Sequence, residues 1–254
     1  MRYIEPHGHM VSRVTDDYET LAKMGCVAVS EPAFWAGFDR GSVDGFRDYF
    51  RQLTEFEPTR AAASGIQHYT WLCINAKEAE NVSLSREVIS LIPEFLDKPG
   101  VLGIGEIGLN KNTLNEATIF QEHLDLAAKT NELILIHTPH LEDKYKGTRM
   151  ILDMLKGDRR VKPERVLVDH VEEHTVRLAL DNGFWCGMTL YPTTKCTPAR
   201  AVPATLTVPS IPIAADGSFA GTVTASNGTL PDSVLSFTIV IAGFGSRLTL
   251  RPRS

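Results

Sequence analysis

His7 and His9, in Glu5-Pro6-His7-Gly8-His9, are the first residues of this 254-residue chain whose types and spacing could do chemistry. At the end of an extended run, side chains at i and i+2 share a face, so both imidazoles can reach one metal ion. Three further groups close apolar runs in the same way. Glu106 ends Val101-Leu102-Gly103-Ile104-Gly105-Glu106, His137 ends Leu133-Ile134-Leu135-Ile136-His137, and His170 ends Val166-Leu167-Val168-Asp169-His170. In a parallel β/α barrel every strand C-terminus opens on one face, where His7, His9, Glu106, His137 and His170 would converge. Imidazoles with a carboxylate suit zinc, manganese or iron and disfavour an all-oxygen calcium or magnesium site.

Other candidates are weaker. His170-Val171-Glu172-Glu173-His174 matches H-x-x-E-H, but that motif needs a helix through both histidines. The β-branched run before His170 instead predicts a strand end there. His140 reads equally as a neighbour of the metal and as a plain loop residue. His123 falls mid-helix and reads as structural. Phe34, Trp35, Tyr69 and Trp71 read more as packing than as pocket walls. The four cysteines are widely spaced, with no basic partner nearby, which suggests reduced thiols in an intracellular protein.

The elements that must position these groups follow from periodicity. Apolar runs at Arg2–Ile4, Cys26–Ser30, Arg60–Ile66, Val101–Ile107, Leu133–His137, Arg165–His170 and Phe184–Leu190 alternate with amphipathic stretches. The stretches are Asp17–Met24, Ser85–Leu96 (Ser85 as N-cap), Glu116–Thr130, Thr148–Lys156 and Glu173–Asn182. Strand then helix, repeated, predicts an α/β fold of the TIM-type β/α barrel, with residues 1–200 as its domain. Residues 201–254 differ, holding five of the 57 Asp, Glu, Lys and Arg residues, no lysine and 14 serines or threonines. Pro203, Pro209 and Pro212 oppose a helix there, and alternating runs around Asn227-Gly228 predict β hairpins. The barrel is therefore expected to close incompletely or atypically after strand seven.

Hydrophobic residues at 43% and charged residues at 22% are ordinary for a globular chain. A net charge of −5 gives no footprint for broad nucleic-acid binding, although a nuclease that holds phosphates through metal ions stays open. No apolar stretch is long enough for a membrane span, and the N-terminus lacks the apolar core of a signal peptide, so a cytoplasmic protein without a membrane partner is expected. No feature points to an obligate protein partner.

Gly105-Glu106-Ile107-Gly108-Leu109, the opening His7-Gly8-His9, Phe120-Gln121 with Leu124 and Leu126-Ala127, and Leu135-Ile136-His137 resemble the TatD family of metal-dependent hydrolases, within the amidohydrolase superfamily. The resemblance covers about residues 3–200. It implies a barrel with one or two divalent ions (zinc, manganese, iron or magnesium) on His7, His9, Glu106, His137 and His170, Glu106 lying between two ions. It also implies hydrolysis by a metal-activated water, of phosphodiesters or of another ester or amide, on a small-molecule or nucleic-acid substrate. Where the family's third strand ends in G-x-H-P-H, this chain has Gly65-Ile66-Gln67-His68-Tyr69, which leaves His68 as the substrate-binding candidate. The family's eighth-strand aspartate has no clear counterpart, Asp216 being the one candidate, so a metal-binding barrel without hydrolysis, acting as a binding or biosynthetic partner, is the alternative.

Overall fold

The computed structural model describes residues 2–140 and 143–189, together with the backbone of strands 218–225, 233–240 and 247–250. Seven strands pair in parallel and in chain order: β1 (Tyr3–Glu5), β2 (Cys26–Pro32), β3 (Gln67–Leu72), β4 (Val101–Gly108), β5 (Leu133–His137), β6 (Val166–Asp169) and β7 (Trp185–Thr189). Helices connect them: α1 (Thr15–Lys23), α2 (Val43–Arg51), α3 (Glu57–Ala63), α4 (Val82–Leu91), α5 (Pro93–Leu96), α6 (Leu114–Thr130), α7 (Lys144–Gly157) and α8 (Val176–Leu180). The core lies between helices and sheet. Ile134 and Ile136 of β5 and Val166 and Val168 of β6 pack with Phe46 and Phe50 of α2, Phe120 and Leu124 of α6, and Ile151 and Leu155 of α7 in one cluster. Alternation then turns Leu135, His137 and Asp169 to the opposite, concave face.

The seven parallel strands curl into a half-barrel rather than a closed ring. After β7 come β8 (Ser218–Ala225) and β9 (Ser233–Val240), an antiparallel pair, and β10 (Arg247–Leu250), which lies antiparallel on β7. The expected incomplete closure is what the described residues show. A parallel eighth strand needs a crossover, usually helical, and the proline-rich, lysine-free sequence after residue 200 is poor helix material.

Local boundaries correct several expectations. The run Arg60–Ile66 is not a strand. Pro58 opens α3, Ala61–Ala63 extend it, and β3 begins only at Gln67. Asn81, not Ser85, caps α4, its side chain accepting the Leu84 amide, while Ser85 is buried one turn in. Glu116 begins no helix either, because Thr113 caps α6 in a reciprocal capping box with it.

His123, buried in α6, is structural as expected. Its Nδ1–H donates to Ile119 O at 2.9 Å, and Nε2 accepts the Ile74 amide at 3.3 Å, which ties α6 to the chain just past β3. A proton on Nε2 would set donor against donor, and burial already lowers the pKa to about 4. A histidine so depressed contributes stability that is present above about pH 6.5 and lost as pH falls towards 4, up to roughly 3 kcal/mol. Unfolding free energies of wild type and His123→Gln should therefore converge as pH drops from 7 to 4.5. A gap that stays constant across that range would contradict this role.

Candidate metal centre

Four of the five expected ligands surround the fifth. Glu106 is buried, and its two oxygens divide the imidazoles between them. Oε1 faces His7 Nε2 at 3.5 Å and His9 Nε2 at 3.8 Å. Oε2 faces His137 Nδ1 at 2.9 Å and His170 Nε2 at 3.0 Å. Burial alone would push this carboxyl group up. The charges of His7 and His137 and the hydrogen bonds from His137 and His170 reverse that, holding it well below the usual carboxylate range.

Each of these groups is aimed by a local device. In β4 the register against β5 shifts between Ile104 and Ile107, so these residues, three apart, both face the helices and Glu106 turns to the concave side. Gly105 and Gly108 permit the close approach this needs. A Cβ at Gly105 would lie 2.5 Å from Leu135 Cβ, and one at Gly108 2.1 Å from His137 O. His7 and His9 follow β1 rather than lying in it. Gly8 N–H donates to Ser30 O at 3.0 Å, and the two imidazoles meet with Nε2 atoms 3.1 Å apart. His9 is the most open, 28% exposed and stacked on Phe34 with ring centroids 4.0 Å apart.

Asp169 is the member of the cluster that the sequence reading does not single out. It ends β6 in register with His137 and shares its face, and Oδ2 accepts from His7 Nδ1 at 2.8 Å. His170 would point to the helices if the strand continued. Instead its φ of 59° turns the chain, and Nε2 reaches Glu106 while Nδ1 meets Thr189 Oγ1 at 2.6 Å. Alternation from the helix-facing Val166 and Val168 is the sequence signal that places Asp169 on the concave face. His170 and His174 are not on one helix, since α8 starts only at Val176.

The donor set fits divalent ions. Ligand atoms of His7, His9 and Glu106 lie within 4.8 Å of one another, as do those of His7, Asp169 and His170, and those of His137, His140 and His170. His68 is not brought to this cluster. With β3 starting at Gln67, it sits near the strand's N-terminal end, beside Val29 on the helix-covered face. There His68 Nε2 pairs with Glu31 Oε2 at 2.8 Å, both side chains fully buried. Asp216 lies outside the described residues.

Holding a metal-bound imidazole by its other nitrogen fixes tautomer and orientation. Asp169→Asn should weaken zinc affinity about 10- to 100-fold without unfolding the protein. Gly187→Ala should act in the same direction, because a Cβ there would lie 2.5 Å from Asp169 Oδ1. Calorimetric zinc titration checks both, and affinities equal to wild type would contradict the assignment.

Comparison with known proteins agrees with this geometry. The chain is 28% identical over 198 residues to an uncharacterized metal-dependent hydrolase of Methanocaldococcus jannaschii, covering 78% of this chain and 76% of that one. Its fold is similar to the crystal structure of a TatD-like protein from Archaeoglobus fulgidus, with TM-score 0.64 and 27% identity over 74% of this chain and 76% of that one. A lactonase mutant from Deinococcus radiodurans shares the fold alone, at TM-score 0.52 and 15% identity, over 80% of this chain and 71% of that one. Residues 31–213, which include Glu106, His137, Asp169 and His170, match the family described as TatD related DNase, and the chain belongs to that family.

Proposed function

We propose that this protein is a metal-dependent hydrolase that holds two divalent ions on either side of Glu106. The observation that carries the reading is the split of four imidazoles between the two oxygens of one buried carboxylate. His7 and His9 would hold one ion, and His137 and His170 the other. Ions bound there would supply a water of lowered pKa and polarise the phosphoryl or carbonyl oxygen of the substrate. The chain's own part is placement. Asp169 fixes His7, Thr189 fixes His170, and Phe34 shields the partly exposed ring of His9.

Family membership favours a phosphodiester substrate, and the open side at His9 and Phe34 is where such a group would enter. Three buried free thiols, Cys26, Cys73 and Cys186, suit a reducing cytoplasm, and no described helix is long and apolar enough to cross a membrane. One observation favours the alternative, a metal-binding barrel without hydrolysis. Among the described residues of the cluster, both carboxylates, Glu106 and Asp169, are engaged by imidazoles, which leaves the water's proton to a group such as Asp216.

Bis-p-nitrophenyl phosphate, a lactone and a carboxylic ester, assayed with zinc or manganese, separate these readings. Phosphodiester turnover that falls at least about 100-fold in the His7→Ala/His9→Ala double variant is expected. Metal content should fall in parallel in that variant. Turnover of the lactone or ester alone would change the substrate class, and metal retention with no turnover would favour the non-catalytic barrel.

Acid should strip the metal. Ligand imidazoles must be neutral to bind, so retention should fall as pH drops through roughly 6.5. Dialysis between about pH 8 and 5 followed by elemental analysis checks this. Retention unchanged over that window would mean that histidines do not hold the ions.

A further inference from the structure

We infer that His140 is a sixth metal ligand, a third imidazole for the ion on the His137–His170 side. The assignment rests on the metal reading above. The His140 ring lies 4.6 Å from His170 and 4.8 Å from His137, centroid to centroid, and one ligand atom of each falls within 4.8 Å of the other two. Three imidazoles so close can offer one nitrogen each to a shared cation.

The loop that carries His140 is built to hold it there. Lys144, buried at the start of α7, donates through Nζ to Pro139 O at 2.8 Å and to Thr138 Oγ1 at 3.1 Å. Thr138 Oγ1 donates in turn to Asp169 O at 2.8 Å, which ties the loop to the strand end that precedes His170. Gly147 of α7 lets the helix close on Pro139, since a Cβ there would lie 2.5 Å from Pro139 Cγ. A lysine removed from water needs such partners; two of them, Thr138 and Pro139, fix the segment between His137 and His140, and Glu172 Oε1 lies 3.8 Å from the same ammonium. The result on this side is three imidazoles and one carboxylate oxygen, a nitrogen-rich set that prefers zinc to magnesium. It gives that ion a ligand set without an eighth-strand carboxylate.

Zinc titration of metal-free wild type and of His140→Ala by calorimetry, with cobalt absorption spectra of both, tests the assignment. Wild type should bind two ions. His140→Ala should lose one equivalent, or weaken it by more than the roughly 100-fold limit of an outer-shell partner, with an altered cobalt spectrum. Unchanged stoichiometry and affinity, or a roughly tenfold loss with an unchanged spectrum, would overturn the assignment and leave the metal reading standing. Wild type that binds no ion would overturn both. Should His140→Ala fail to fold, X-ray absorption of zinc-loaded wild type decides: five imidazoles shared by two ions support the assignment, and four overturn it.

Discussion

Glu106 is a buried carboxylate, and a buried carboxylate is stable only when opposite charge or N–H donors surround it. Four histidines do so here, two to each oxygen. The sheet must therefore deliver the ends of β1, β4, β5 and β6 to one point within hydrogen-bonding tolerance. Parallel strands in chain order do this without long excursions, because each crossover helix returns the chain to the same end of the sheet. Without an ion, the imidazoles satisfy the carboxylate by hydrogen bonds and ion pairs; with divalent ions the same nitrogens would serve as the ligands.

Strand geometry alone does not produce this arrangement. Three departures from regular strand are needed: the register shift in β4, the left-handed turn at His170 and the loop that returns His9 to the face of His7. Each sits at a residue that touches the cluster, in keeping with the tendency of irregular backbone to gather at functional sites. Around them Asp169, Thr189 and Lys144 hold imidazoles and loop in place by hydrogen bonds that leave the concave face open at His9.

The order of elements and the five side chains that meet at the cluster are legible because apolar runs and their closing residues carry period and position together. What failed to show did so for physical reasons. Asp169 is hidden because the run Arg165–His170 reaches one residue past the strand, and the face of a closing residue changes with each one-residue shift of the strand's end. The start of β3 is hidden because Arg60–Ile66 mixes helix-forming alanines with one isoleucine, so His68 follows an apparent strand in the sequence but lies near the beginning of β3 in the fold. The half-barrel was foreseeable from composition, since prolines and missing lysine and glutamate after residue 200 rule against an eighth βα unit. The antiparallel seat of β10 on β7 was not, because register between distant segments depends on pairing that no local pattern records.

The central claim is that Glu106 stands between two ions, and the stoichiometry of Glu106→Gln tests it most directly. An amide keeps the shape of the side chain but cannot place an anionic oxygen on both sides. Calorimetric zinc titration should give two ions per wild-type chain, and one ion or none per variant chain, with the remaining affinity much reduced. Two ions bound to the variant with wild-type affinity would contradict the account.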